Sequence, residues 1–419
     1  MGIGKRTEIP LIVTARQDAR EIIDAGIGAV LTDAVVRRLV RLEGNTLRIA
    51  GSSFDLASYR HVHVIGFGKA SCEASAALES VLGRRVTKGI AIGTEARTCE
   101  MIDLCEATHP LPSAQNLRLT ERLVKQCESV TKDDLVLVVV SGGGSAMLCW
   151  PASECEQGIR LYEASNRAGL SIHELNTVRK HISSLKGGGL AKLLYPATVV
   201  GLIFSDVPGG HDDLVASGPT YPDATTVADA RAVISKYDLG DYELMETPKD
   251  ARYFGNVTNI VLVSNRDALA AMAVKAGELG YDATVIGADF YDAPEKLVSR
   301  MQNAAAPKHA VIAGGESSYP VPAEHGTGGR NQHVALTAAL VLRAGQTFAA
   351  AASDGRDNGS HGGAIVDATT VARARDAGFD ADTALRTCDE TVLLERTGDL
   401  IEMPPTGANV SDLYLLLSE

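Results

Sequence analysis

The sequence is poor in aromatics, in positive charge, in paired cysteines and in long apolar runs. Aromatic residues fill 5% of 419 positions, with a single tryptophan; glycine (41 residues), alanine and valine are abundant instead. That is the composition of a glycine-jointed α/β protein. Forty lysines and arginines stand against 52 aspartates and glutamates, a net charge of −12, and the pI is near 5.4. Such a surface repels nucleic acid and anionic membrane, so a small anionic ligand needs a basic pocket of its own. No apolar stretch approaches the ~20 residues that span a bilayer. The opening "MGIGKRTEIPLIV" has Lys5 and Arg6 but only a short apolar run after them, and Glu8 spoils any signal-peptide pattern. The seven cysteines form no CxxC pair. This excludes a zinc ribbon and a thioredoxin-type motif and indicates reduced thiols in a cytoplasmic protein. GxxxxGK[ST] is absent, so there is no Walker A loop.

What is present is strand–helix alternation. A chain this long exceeds one ordinary core. Two α/β domains are expected: residues 1–240, Rossmann-like with a parallel sheet, and residues 241–419, whose last strand, "NVSDLYLLL", is free to pack back on the first domain. Residues 16–42 have helical periodicity. "HVHVIGFGKASCEASAALESVL" (61–82) reads as strand, glycine turn and helix, and "LVLVVVSGGGSAML" (135–148) repeats the scheme. Six apolar residues in a row suit a strand buried on both faces. Ser113 is placed to cap the helix that follows it. The alternation implies right-handed crossovers and a parallel sheet. It weakens over 235–256, where a boundary or hinge is expected.

Strand–glycine–helix junctions recur at Gly66–Gly68, Gly142–Gly144, Gly314–Gly315 and Gly328–Gly329. A single glycine turn is ordinary, but amides at helix starts also bind phosphate or carboxylate, and such turns gather at the carboxyl ends of strands. "GFGKAS" has the first two glycines of GxGxxG, with Ser71 in the third place and the next acid, Glu95, too late. The dinucleotide fingerprint is therefore incomplete. Lys69 inside that turn suits a polyphosphate. Three glycines between Ser141 and Ser145 let amides and two hydroxyls approach an anion, carboxylate or phosphate. "LNTVRKH" gathers Asn176, Arg179 and Lys180, which otherwise form a plain basic helix face. Asp206 follows an apolar strand, where a side chain can face a cleft. His211, Asp212 and Asp213 are adjacent and so poorly placed to converge on one ion, and His61 and His63 read as core or edge packing. Arg330 enters a helix straight after two glycines, a position for a two-pronged anion clamp. Asp354 and Asp357 end another strand, where carboxylates accept a hydroxyl proton or hold Mg²⁺.

Taken in order, "GFGKA", "VVVSGGGSAML", "LNTVRKHISSLKGGGLA", "SDVPG", "ASGPTYPD", "AGGES", "GTGGRNQ", "SDGRD" and "PPTGANVSDL" resemble the glycerate 2-kinase family, whose C-terminal part is the MOFRL domain. The resemblance runs from about residue 12 to 417. It implies ATP- and Mg²⁺-dependent phosphorylation of D-glycerate to 2-phosphoglycerate in an interdomain cleft, with Lys69 and Arg330 essential. Asp206 or Asp354 is then the candidate base, Asp206 and Glu316 the candidate Mg²⁺ ligands, and Asn331 and Asn409 join the glycine loops as candidate ligand contacts. The expected partner is a small sugar acid, and a homodimer stays open. Some members carry the label hydroxypyruvate reductase, so an NAD(P)H-dependent reductase is the rival reading, with a non-catalytic sugar-acid binder behind it. Two departures bear on the acceptor: "PGGHDDL" stands where the family has "PGDDPS", and "DGRDNGSH" where it has "DGxDGPT". A kinase for a related short sugar acid is therefore a further alternative.

Overall fold

The computed structural model describes residues 11–207 and 209–419; the first ten residues, with the signal-peptide expectation, lie outside these. The chain divides into two compact units: Thr32–Val263, and the segment ending at Leu31 together with Ser264–Glu419. Helix α1 (Leu11–Val30) belongs with the second unit. The first unit begins with α2 (Thr32–Leu39) and an antiparallel meander, β1 (Val40–Glu43), β2 (Thr46–Ile49) and β3 (Ser52–Asp55). There follow β4 (His61–Phe67), α3 (Ser71–Leu82), β5 (Lys88–Gly93), β6 (Ile102–Glu106), α4 (Ala114–Cys127), β7 (Asp134–Ser141), α5 (Gly144–Met147), α6 (Ala152–Ala168), α7 (Ile172–His181), α8 (Gly189–Leu194), β8 (Thr198–Phe204), α9 (Val227–Tyr237) and β9 (Val257–Val263).

Strands β4 to β9 form one parallel sheet in the order β6-β5-β4-β7-β8-β9. Counted from β4 this is 3-2-1-4-5-6, the Rossmann order, and the direction of winding reverses between β4 and β7. All eight residues of β7 are buried, which explains its unbroken apolar run: helices cover both faces. Ser113 caps α4 by accepting from the Gln115 amide at 3.2 Å. The expected helix over 16–42 is two helices and the first strand of the meander.

The second unit contains α10 (Asn265–Glu278), β10 (Asp282–Phe290), α11 (Pro294–Asn303), β11 (His309–Gly315), α12 (Arg330–Ala339), β12 (Gln346–Ala352), β13 (Gly363–Asp367), α13 (Thr370–Asp376), α14 (Ala381–Thr387), α15 (Glu390–Thr397) and β14 (Asp412–Ser418). Its sheet runs β10-β11-β14-β12-β13, parallel only at β10/β11. The last strand therefore does not return to the first unit. It lies antiparallel between β11 and β12 with all seven residues buried.

The observed division also differs from 240/241. Strand β9 extends the first sheet to Val263, while α1 is fastened to the second unit. Arg16 pairs with the buried Asp367 and Asp399, each at 2.8 Å, and Tyr281 Oη donates to Asp18 at 2.9 Å. Much of the weak 235–256 segment is a strap within the first unit. Leu239, Tyr242 and Leu244 pack on Leu161, Val178 and Ile182, and the Met245 amide donates to the His181 carbonyl at 2.7 Å. The chain crosses between units at Leu31/Thr32 and Val263/Ser264, so a hinge at 235–256 is not supported. Among the described residues no helix is long and apolar enough to cross a membrane.

Candidate active site

At the reversal of the first sheet, the turns after β4 and β7 lock together. Gly68 has φ +113, and a Cβ there would overlap the Ser141 carbonyl. The Lys69 amide donates to the Gly142 carbonyl at 2.8 Å and the Ala70 amide to Ser141 Oγ at 3.1 Å. The Gly68 amide donates to the Ile92 carbonyl and the Ser71 amide to the Gly68 carbonyl. All four amides of the turn are thus engaged, and none remains to cradle a pyrophosphate. Gly66 serves packing: a Cβ on it would meet Ala91 and Ser75.

The three-glycine loop has the opposite character. A Cβ on Gly142 would overlap the Asp206 carboxylate, and one on Gly143 would touch the His109 ring and the Lys69 stem. On Gly144 it would meet Ala216 and Phe67. These side chains are what come so close to the backbone. Three of them, His109, Asp206 and Ala216, line a recess of about 200 Å³ whose wall also includes Gly142, Gly143, Ser145, Asn176, Arg179, Leu214 and Val215. Lys69 and Arg179 make no hydrogen bond or ion pair among the described residues. Partial desolvation of the His109 ring, then the Lys69 and Arg179 charges, push that imidazole down to about 4. Burial likewise lowers Arg179, to about 10. The recess thus has Arg179 and a neutral imidazole in its wall, with Lys69 just behind them against Gly143 and His109. Ala216 and Ser217 are non-glycine residues with φ +50 and +63, strain of a kind that gathers at functional sites. Ser145 Oγ lies 2.8 Å from Ser217 Oγ, which donates to Asn176 Oδ1 at 2.8 Å.

Lys180 is not part of this recess. Its buried ammonium pairs with Asp223 at 3.1 Å, so "RK" in one helix turn splits into one ligand-facing cation and one structural one. The altered 209–213 loop leads into Leu214–Ala216 of the recess wall, and His211 packs edge-on against His173 with ring centroids 5.5 Å apart.

In the second unit, Arg330 begins α12 on the rim of a hollow of about 540 Å³, lined also by Tyr291, Glu316, Tyr319, Gly328, Gly329 and Asn358. Its Nη1 donates to Asp412 Oδ2 at 3.0 Å and lies 3.1 Å from Glu316 Oε2. Asp412 is buried and also accepts from Asn331 Nδ2 at 2.9 Å and from Tyr414 Oη at 3.3 Å. Asp357 takes a structural place, accepting from the Asn331 and Gln332 amides at 2.9 and 2.8 Å and so capping α12. Gly329 needs to be glycine because Asp357 packs on its backbone, and Gly328 because Glu390 does. Gly314 faces Leu269, and Gly315, at φ +152, abuts the Phe290 backbone; both shape the strand rather than line the hollow. Asp354 accepts the Arg356 amide at 2.9 Å in a turn and lines neither cavity, nor does the half-buried Asn409. Asn358, in the second altered loop, does line the hollow, with Nδ2 donating to the Gly328 carbonyl at 2.8 Å.

Sequence reasoning missed His109, Asp412 and Tyr414. The visible signal for Asp412 is a charge opening an otherwise apolar strand. Burial pushes its carboxyl up to about 7 against the pull of Arg330. The folded chain therefore keeps a proton that the unfolded chain has already released. This carboxyl favours folding most on the acid side, a contribution lost as pH rises through 7. Melting temperatures between about pH 5 and 8 are expected to depend less on pH in Asp412→Asn than in the parent; equal slopes would show that Asp412 does not titrate in that range.

Known proteins place the chain. The MOFRL family matches residues 309–412, and a domain of unknown function (DUF4147) matches 18–247. A D-glycerate 2-kinase of Thermotoga maritima is 32% identical over 95% of this chain and 97% of its own. The chain belongs to the glycerate 2-kinase family. A crystal structure of glycerate kinase from the same organism superimposes with a TM-score of 0.84 at 30% identity, covering 97% of this chain and all of that one. An Agrobacterium vitis relative, 32% identical over 97% of this chain and 95% of its own, carries hydroxypyruvate reductase as a provisional name.

Proposed function

We propose that the chain is an ATP- and Mg²⁺-dependent kinase that phosphorylates the 2-hydroxyl of D-glycerate. The observation that carries this reading is the recess at the sheet reversal, where Arg179 and Asp206 share the wall and unpaired Lys69 stands next to it at Gly143 and His109. Cations stabilise an anionic reactant and the charge of a transferring phosphoryl group, while a carboxylate accepts the hydroxyl proton. Asp206, pressed against Gly142 at the recess, is better placed for that proton than Asp354. No covalent nucleophile is required, because positioning and electrostatics carry phosphoryl transfer. Neither Asp206 nor Glu316 belongs to a three-ligand cluster among the described residues. A carboxylate of either kind suits Mg²⁺ that keeps water and phosphate oxygens as its other ligands, and the ion supplies neutralisation of phosphate charge. The engaged amides of the Gly68–Ser71 turn weigh against a dinucleotide there. The altered 209–213 loop, which leads into Leu214–Ala216 of the recess wall, favours as a second reading a kinase for a related four-carbon acid.

The test is product identification. With ATP, Mg²⁺ and D-glycerate, phosphorus NMR is expected to show 2-phosphoglycerate. 3-Phosphoglycerate would overturn the regiochemistry, and preferred turnover of a four-carbon acid would select the second reading. Oxidation of NADH by hydroxypyruvate without any phosphorylation would overturn the kinase.

A further inference from the structure

We infer that the recess of the first unit is the site of the hydroxy acid rather than of the nucleotide, with Arg179 clamping the carboxylate and Ser145 accepting from a ligand hydroxyl. This rests on the kinase reading only for the identity of the acid.

The size of the recess favours the acid. A volume of about 200 Å³ falls below the roughly 300–1,000 Å³ of pockets for drug-sized ligands. It admits a three- or four-carbon acid, whereas a nucleoside triphosphate carries a purine, a ribose and three phosphates.

The distribution of donors and acceptors favours it too. Ser217 has one hydroxyl hydrogen, and it goes to Asn176 Oδ1. In the 2.8 Å contact between the two serines, Ser145 must then be the donor. The hydrogen of Ser145 is thereby spent, and its remaining lone pair can only accept. With Asp206, a carboxylate, that places two acceptors in the same wall. Acceptors repel phosphate oxygens and suit hydroxyl donors. Opposite in character are Arg179 and Asn176 Nδ2, which donate to nothing among the described residues. One small ligand satisfies both sets: a carboxylate for the donors and neighbouring hydroxyls for Ser145 and Asp206. A planar guanidinium matches a carboxylate two-pronged, which an ammonium does not.

Arg179 also gives the fold little. It has no ion-pair partner among the described residues, and the charges of Tyr162 and Glu154 only partly offset its burial. A half-buried cation kept without a partner is expected where a ligand supplies one.

Calorimetric titration of the full chain, with and without ADP, tests the assignment. The parent protein is expected to bind D-glycerate and to bind D-glyceramide, the neutral amide, far more weakly. Arg179→Gln is expected to weaken D-glycerate at least thirtyfold and to leave D-glyceramide and ATP within threefold, with an unchanged or higher melting temperature. Arg179→Lys should fall between the two. Thirtyfold is about 2 kcal/mol, the size of a single hydrogen bond to a charged group. Weaker ATP binding in Arg179→Gln with glycerate unaffected would overturn the proposal. So would equal binding of acid and amide by the parent. Because the readout is binding, failure of the chain to phosphorylate glycerate would count against the kinase reading alone. In that event the same titrations with lactate, malate and tartrate apply, and binding of none of these acids would sink the assignment itself.

Discussion

Replacing Lys69 with alanine is expected to lower kcat by about a hundredfold or more while the fold survives. The stem of Lys69 touches Gly143, and the ammonium has no hydrogen bond or ion pair among the described residues. Its removal opens no cavity and orphans no buried partner, so the melting temperature should move by no more than about 2 °C. The chemistry should suffer far more. A preorganised charge at the place where negative charge develops is worth about 10²–10³ in kcat. Loss of an interaction made only in the transition state lowers kcat and kcat/KM together, whereas loss of uniform binding raises KM alone. Steady-state kinetics with a thermal melt of the same sample decides. A variant with more than about a tenth of the parent kcat would show that Lys69 is a solvated turn lysine.

Lys69 and its turn were legible because their signal is local. A strand of buried apolar residues, a glycine break and an alanine-rich helix fix where the side chain emerges, and the six-stranded parallel sheet follows from repetition of that unit. The second sheet was not legible in the same way. β14 has the apolar run of any buried strand, but nothing in that run says that it inserts antiparallel between β11 and β12. That placement depends on partners about 70 and 100 residues upstream, and periodicity does not encode sequence-distant pairing. The same limit put α1 in the wrong half. Its attachment to the second unit depends on Arg16 reaching Asp367 and Asp399.

Within the site, residue type was a better guide than residue role. Arg179 and Lys180 are adjacent cations on α7, but a helix turns about 100° per residue, so neighbours face different surroundings. One meets the recess and the other Asp223. Asp354 and Asp357 looked alike as acids at a strand end, yet one closes a turn and the other caps α12. His109 carried no motif at all. Its interest comes from two cations drawn from distant segments, Lys69 and Arg179.

Arg330→Lys is expected to cost about a hundredfold or more in kcat/KM although the charge is kept. One prong of the guanidinium, Nη1, already serves both Asp412 and Glu316, and the rest of the fork remains for the hollow that Arg330 lines. A lysine placed there has a shorter reach and a single point of charge. The two carboxylates would hold that ammonium, leaving no second, rigidly oriented set of donors for a phosphate or carboxylate. The lysine variant is more informative than alanine. Arg330→Ala strands the buried Asp412 without its counter-charge, so lost activity would be mixed with lost stability. In Arg330→Lys the carboxylates keep a cation and the melting temperature should hold, which isolates fork geometry as the property under test. Kinetics within about threefold of the parent would show that Arg330 supplies only neutralising charge, and the two-pronged anion contact at the start of α12 would have to be abandoned.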